Sequence, residues 1–399
     1  MRIDAPAVAR SSPRSVHWPH RKVLWLVVGL VAAAGIAIGV SQAFFAGQQT
    51  RSQFMQGILD REVTGPNRLA PGATAYVSGP HGTWVGSAGV ADVKTGVPMP
   101  VNARMRIESN SKTWLVAVVL QLVQEGKLSF GDKVDRWLPG LLRAHGKEIT
   151  LRQLMSDSSG LIDDNDVFAS PSAGDVYLAR VRDPKLRAQL LAVGARLRAN
   201  PAARVSPLWF IRLAAWQPLV AAPGTVTHHS NIGWNIAGMI ASKVAGKPLP
   251  LLYRERIFEP LRLRHTAYDP QGPIGGTHAN GYDLAPGGTL TDTTARHFGK
   301  GADGAIVTDA RDEARFLVAL TNGTLVHPSI RGEIGAGDPS GCGGPPVHRG
   351  SGAGDGFKSD VVYAVDGSRV AVLLLNGRTA GETGFARAAA AASELYCAA

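Results

Sequence analysis

Hydrophobic and polar positions along the chain fall into three regimes. Val23 to Ala46 (VLWLVVGLVAAAGIAIGVSQAFFA) carries no charge, and a helix needs about 20 apolar residues to cross a hydrocarbon core of ~30 Å. The run predicts a transmembrane helix over residues 23–46. Ala73 to Val90 (ATAYVSGPHGTWVGSAGV) then alternates β-formers around Gly79-Pro80-His81-Gly82, which predicts an antiparallel hairpin. A second hairpin is predicted where Ser359–Val365 and Arg369–Leu375 flank Asp366-Gly367, because that dipeptide supplies the positive φ angles of a type I′ turn.

Between the hairpins the period turns helical. Residues 47–65 read as a juxtamembrane segment leading into an amphipathic helix. Ser109 to Glu125 is almost continuously apolar from Trp114 through Val123 and stops at Gly126, the pattern of a buried helix ended by a glycine. Thr150-Leu151-Arg152-Gln153 has capping-box spacing. Ile232, Ile236, Ile240 and Val244 recur every fourth residue between Asn231 and Gly246, one apolar face of a helix. The stretch from Gly174 to Gln217 and the alanine-rich Arg387 to Tyr396 are also predicted to be helical. Strands at both ends of a helical middle imply an α/β (α+β) fold: an antiparallel sheet assembled from distant segments, flanked by helices, with an all-helical subdomain inserted at roughly 109–260.

Charge decides the compartment. Residues 1–22 hold Arg2, Arg10, Arg14, Arg21 and Lys22 against Asp4 alone. Basic residues before an apolar span keep the N-terminus in the cytoplasm, so the chain is expected to be a single-pass protein of the cell membrane with residues 51–399 outside as one domain. The rival is a secreted protein cut after a signal peptide, with Ser41-Gln42-Ala43 as the small-residue cleavage site. Of the total net charge of +11, the residues after 50 retain 37 Lys and Arg against 30 Asp and Glu. They include no run of five basic residues and no basic-aromatic interleaving, which argues against nucleic-acid binding. Cys342 and Cys397 both fall in the outside part, where oxidising conditions permit a disulfide. We expect them to pair, joining the last helix to the loop before the last strands; two free thiols are the alternative.

The candidate chemistry begins at Ser109-Asn110-Ser111-Lys112. The tetrad follows the β-like Met105-Arg106-Ile107, so Ser109 is placed at a helix N-terminus among free backbone N–H groups. Lys112 lies one turn along the same face, and a desolvated lysine there can accept the serine proton. The bland reading makes Ser109 a helix cap and Lys112 a surface residue. No Gly-x-Ser-x-Gly elbow, phosphate-binding glycine loop or His-Glu-x-x-His is present, and the adjacent His228 and His229 lack a helical partner or nearby thiolate. Neither a metal nor another cofactor is expected.

Met105 to Leu138 resembles the active-site helix of the serine β-lactamase and penicillin-binding-protein (DD-peptidase) superfamily, and in particular its class C branch of DD-carboxypeptidases, D-aminopeptidases and esterases. The likeness continues through ITLRQLMSDSSGL (149–161), Pro223 to Gly246, GAIVTDA (304–310) and Val347 to Asn376. It implies Ser109 as nucleophile and Lys112 as its base. The family's Tyr-x-Asn motif falls on His229-Ser230-Asn231, so Asn231 is retained and His229 replaces the tyrosine. Histidine can do the proton work with an ordinary pKa near ~6.5; the alternative is that His229 only fills space. His228 is read as an exposed loop residue. The third motif, Lys-Thr-Gly or His-x-Gly, is assigned to His348-Arg349-Gly350, opening a strand that continues through Phe357. The resemblance places the oxyanion hole at the backbone N–H groups of Ser109 and Ser351, each such donor being worth about 2.7–4 kcal/mol.

Two departures accompany these matches. Glu108 precedes the nucleophile where relatives carry a small residue, either compensating the helix dipole or pairing with Lys112, and Asp157 stands where they often carry histidine. The expected function is acyl transfer through acyl-Ser109 on an amide or ester substrate, with DD-peptidase-like hydrolysis of cell-wall peptide ahead of β-lactam or ester hydrolysis. The alternative is a catalytically weak or inactive pocket protein with a binding or regulatory role in the envelope.

Overall fold

The predicted hairpins are both present, and they meet. The computed structural model describes residues 47–399 other than 48, 168–172, 201–202, 204, 271, 286–287, 297–299 and 380–381. The basic segment 1–22 and the predicted span 23–46 lie outside the described residues, among which no helix is long and apolar enough to cross a membrane. The chain divides between Gln53 and Phe54, and residues 54–399 hold both the main sheet and the cleft.

The main sheet contains β1 (Gly72–Gly79), β2 (Gly82–Asp92), β3 (Val97–Pro98), β4 (Val347–Gly354), β5 (Phe357–Ala364) and β6 (Val370–Leu375) in the order β3-β2-β1-β6-β5-β4. All neighbours are antiparallel, and the two ends of the sequence join where β1 pairs β6, Thr74 opposite Leu374. In β6 every residue is buried because the sheet is covered on both faces. Val370, Val372 and Leu374 point into the larger core with Val361 and Tyr363. Ala371, Leu373 and Leu375 point into a second core made by Met55, Ile58 and Leu59 of the first helix and Ala388, Ala391 and Leu395 of the last.

The helices that position the site lie against the larger core: α1 (Ser111–Gln124), α2 (Asn231–Ala245) and α3 (Ala310–Thr321), with α4 (Glu382–Cys397) on the opposite face. Gly126 (φ +69°) and Gly246 (φ +64°) take the left-handed conformation just past α1 and α2. The capping box at Thr150 is formed, with Gln153 N–H donating to Thr150 Oγ1 at 3.2 Å and Thr150 N–H donating to Gln153 Oε1 at 2.9 Å. The stretch 174–217 forms Ala173–Ala179, Pro184–Ala199 and Leu208–Ala214.

Two turns exchange their expected roles. Asp366 stays at negative φ and only Gly367 is positive (+75°), so β5 and β6 are joined by a longer turn in which Asp366 Oδ1 accepts from Ser368 N–H at 2.9 Å. The two positive φ angles of a type I′ turn occur instead at Asp355 (+35°) and Gly356 (+78°), between β4 and β5. The glycine-rich strand therefore ends at Gly354 and folds back on itself.

Beneath the sheet Trp114 stacks on Phe316 (centroids 3.8 Å, 14°) and donates its indole N–H to buried Glu313 at 3.1 Å. Burial pushes the Glu313 carboxyl up to about 8. A carboxyl whose pKa is raised on folding contributes stability that is full below its ordinary value of 4.5 and is lost as pH rises through about 8. Cys342 and Cys397 are joined, Cα to Cα 5.7 Å, closing a separation of 55 residues.

Urea unfolding followed from pH 4.5 to pH 8 is expected to show a decline in stability that is smaller in Glu313→Gln; an identical decline in the variant would assign it to other groups. Replacing both cysteines by serine is expected to cost about 2–4 kcal/mol, near the loop-entropy value for such a separation, measured as the unfolding free energy extrapolated to zero denaturant.

Candidate active site

Ser109 is held by its neighbours in sequence. Met105–Arg106 forms a short strand against Ile306–Thr308, and the chain then kinks at Glu108, whose φ of +55° is unusual for a side chain. A 3₁₀ turn, Glu108–Asn110, carries Ser109, and α1 begins two residues later than the serine. The kink is clamped to the sheet: Asn110 Nδ2 donates to Ser359 Oγ at 2.7 Å, and Ser359 Oγ donates to Ile107 O at 2.6 Å.

Lys112 reaches back to this turn. Its Nζ lies 2.8 Å from Ser109 Oγ, 2.8 Å from Asn231 Oδ1 at the start of α2, and 3.4 Å from Asp303 O. Desolvation lowers its pKa from the usual 10.5, opposed by the charges of Asp303, Asp157, Asp164 and Asp163. Asn231 is oriented by its other end, Nδ2 donating to Asp164 Oδ1 at 3.0 Å.

His229, about half exposed, is oriented by a buried carboxylate. Its Nδ1 donates to Asp163 Oδ2 at 3.0 Å, and Asp163 Oδ1 accepts from Asn231 N–H at 2.9 Å. The hydrogen bond to Asp163 raises the His229 pKa above 6.5 against the opposing effect of burial. Burial would raise Asp163 too, but its bonds from His229, Asp164 and Asn231 hold it well below the carboxylate range. Asp164 is pushed well up by burial and by Asp163, so the pair carries one firm negative charge. His228 lies in a loop, part-exposed, with its Nε2 3.3 Å from Asp166 Oδ2. Asp157, itself at φ +52°, accepts from Trp234 Nε1 at 3.0 Å and from Ser230 N–H at 3.3 Å, fixing the approach to α2.

Glu108 stands in the first turn of the helical segment, as dipole compensation requires, but it does not pair with Lys112. Its buried carboxyl pairs with Lys300, which also meets Asp355 at 3.1 Å, all three lining the cleft. Burial raises the Glu108 pKa. Lys300 remains charged because Asp355 and Glu108 outweigh its desolvation, and Lys300 likewise holds Asp355 low. Lys112 is thus spared a direct carboxylate partner. The cleft, about 740 Å³, is also lined by Ser109, His229, Asn231, Ser351, Ala353, Arg296 and Arg378. Among the described residues no group of three or more His, Cys, Asp or Glu side chains is disposed to hold a metal.

β4 closes the cleft at its sheet edge. A Cβ on Gly352 would stand 2.1 Å from Ile107 O and 2.9 Å from Ser109 N, and one on Gly350 would stand 2.2 Å from Asn110 Oδ1. Only glycine permits this approach. With Gly354 and Phe357 closing the two-residue turn as the bonded pair, alternation leaves the N–H groups of Ser351 and Ala353 facing outward from the edge.

The sequence profile of the Beta-lactamase family matches residues 52–394. The chain belongs to this family. It is 27% identical over 179 residues to the N-acetylmuramyl-L-alanine amidase of Bacillus subtilis (43% of this chain, 35% of that one). Against esterase EstB of Burkholderia gladioli the identity is 27% over 184 residues (45% and 42%). The chain thus spans less than half the length of these curated relatives. Solved structures with the same fold include a D-stereospecific amidohydrolase from Streptomyces sp. (TM-score 0.69, 24% identity, 86% of this chain and 98% of that one). The D-amino acid amidase of Ochrobactrum anthropi SV3 aligns with a TM-score of 0.70 (21% identity, 88% and 98%).

Within the family pattern, Ser109, Lys112, His229 and Asn231 come together as their motifs imply. His348 does not join them. It stands four residues before Gly352 on β4, about 13 Å away at strand spacing, half-buried against the Tyr363 ring (centroids 5.3 Å) and absent from the cleft lining. The correction is one of register: the glycine at the nucleophile is Gly352, so the motif position shifts to Gly350-Ser351-Gly352 and leaves no cation at its first residue. Gly350 packs on Asn110, and the N–H of Ala353 faces outward from the edge beside that of Ser351. Sequence reasoning missed Asp163, Asp164 and Lys300. The acidic run Asp163-Asp164-Asn165-Asp166 was a visible signal, but its partner His229 is 66 residues away.

Gly352→Val is expected to reduce acylation of Ser109 by about 100-fold or more, since a 1 Å displacement at a reacting group costs on that order. Single-turnover labelling of folded variant checks this; an unchanged rate would remove Gly352 from the nucleophile's wall.

Proposed function

We propose that the protein is a membrane-anchored, extracytoplasmic serine hydrolase that cleaves an amide or ester through a covalent acyl-Ser109 intermediate. The observation that carries this reading is Lys112 Nζ at 2.8 Å from both Ser109 Oγ and Asn231 Oδ1. As a neutral amine, Lys112 donates its two N–H groups to Asn231 Oδ1 and Asp303 O, and its lone pair faces the Ser109 hydroxyl. The hydroxyl proton passes to Lys112 as Oγ attacks the carbonyl carbon. The negative oxygen is met by the N–H groups of Ser109 and of Ser351 or Ala353. The leaving nitrogen or oxygen takes a proton from Lys112 or His229, and water then releases the acyl group by the same path in reverse.

Relatives named as a D-amino acid amidase, an esterase and a putative D-alanyl-D-alanine carboxypeptidase support a small amide or ester as substrate. DD-peptidase-like hydrolysis of cell-wall peptide is the finer reading, supported by that carboxypeptidase and by the N-acetylmuramyl-L-alanine amidase. The uncharged run 23–46 behind Arg21 and Lys22 supports the anchor. A second reading, a pocket protein with little or no turnover, is favoured by His229, which stands for the family's tyrosine and is pushed by Asp163 toward the protonated form.

Incubating the full chain with a fluorescent penicillin and with a fluorophosphonate separates the two. Label on Ser109, absent in Ser109→Ala, is expected; folded protein inert to both probes supports the pocket protein. If neutral His229 carries the proton, acylation rises with pH on a limb centred above 6.5, and Asp163→Asn lowers that midpoint. A limb unmoved by Asp163→Asn would assign the proton to another group.

A further inference from the structure

A second concave site lies on the inserted helices, sharing no lining residue with the Ser109 cleft. Arg143, His145, Arg180, Arg182, Trp216 and Gln217 line a cavity of about 480 Å³. None of its lining residues is acidic. Among the described residues, no ion pair joins Arg143, Arg180 or Arg182 to a carboxylate. The nearest acid in sequence, Asp183, is occupied as a helix cap, its Oδ1 accepting from Lys185 N–H at 2.9 Å and Leu186 N–H at 3.0 Å.

Two of the three arginines, Arg143 and Arg180, are held by neighbours. Arg143 adopts φ +55° in the 3₁₀ turn Arg143–Lys147, and its guanidinium carbon lies 3.8 Å from the centroid of the Trp216 ring. Stacking occupies the face of the guanidinium and leaves its N–H edges available. Buried Gln217 braces the wall: Oε1 accepts from Arg180 Nη1 at 3.3 Å, while Nε2 donates to Tyr177 O and Leu213 O, both at 3.0 Å. Gln217 O accepts from His145 Nε2 at 3.1 Å. A carbonyl only accepts, so Nε2 carries the proton in this contact.

Charge along the chain points the same way. Residues 174–217 contain eight Lys and Arg against Asp175 and Asp183, a net +6 in a chain of +11. Solvated arginines on a convex surface separate; here three line one cavity with no acidic residue among its described lining residues, an arrangement completed by an anion. A phosphate group offers several oxygens to several guanidinium forks at once.

We propose that this cavity binds a phosphate group, either free or in a phosphodiester. The test titrates the full chain by calorimetry with inorganic pyrophosphate and, separately, with glycerophosphoglycerol, the deacylated headgroup of an anionic lipid. Saturable binding of either is expected, weakened about tenfold or more in Arg180→Ala/Arg182→Ala. Tighter binding of pyrophosphate identifies a free phosphate ligand; tighter binding of glycerophosphoglycerol identifies a phosphodiester.

Labelling of Ser109 reports on the other cleft and serves as a fold control, so loss of one reading leaves the other standing. If the alanine pair does not fold, Arg180→Lys/Arg182→Lys keeps the charge, loses the forks, and is expected to bind several-fold more weakly. Binding equal in variant and native protein, or no saturation of the native protein below about 10 mM, overturns the proposal.

Discussion

The constraint on which the site depends is the placement of a lysine amine out of water. Lys112 joins α1 to α2 through Asn231 and to the 300–304 segment through Asp303 O, while touching Ser109. Taking an ammonium from water is costly unless it is paired. Here the surrounding acids act at a distance and desolvation prevails, so the pKa falls. A carboxylate in direct contact would keep the proton on the lysine. Glu108, the nearest candidate in sequence, is engaged by Lys300 instead. The Glu108–Lys300–Asp355 cluster thus serves the chemistry by leaving Lys112 alone.

The sheet supplies the rest of the nucleophile's surroundings. β4 is the edge strand of the sheet, with the N–H groups of Ser351 and Ala353 facing outward, and its glycines allow that edge to come against the turn carrying Ser109. Asn110 and Ser359 lock the approach from within the domain. Because β5 pairs with β6 and β6 pairs with β1, the strand from the start of the domain, the cleft wall is held by both ends of the sequence.

His229 changes the proton chemistry while leaving this frame intact. Asp163 both orients the imidazole and caps the start of α2, so a single carboxylate ties the replaced residue to the retained Asn231. The cost is a more strongly held imidazole proton. An imidazole titrates near neutrality where a phenol does not, so under the proposed function a proton transfer through His229 would follow ambient pH.

Local pattern determined much of this protein. The two hairpins, the buried helix after Ser109, the capping box at Thr150 and the helix from Asn231 to Gly246 follow from periodicity, caps and glycine stops. Each depends on neighbours a few residues apart. The pairing of β1 with β6, the register that puts Gly352 and not Gly350 at Ser109, and the location of His348 away from the cleft were decided only by tertiary structure. So were the partners Asp163–His229, Glu108–Lys300 and the three arginines around Trp216. The pattern predicts a type I′ turn at Asp366-Gly367 and strand at 355–356, yet the turn forms at Asp355-Gly356. The physical reason is common to all: local preference acts along the chain, whereas register, ion pairing and burial are set by atoms that the fold brings together from distant positions.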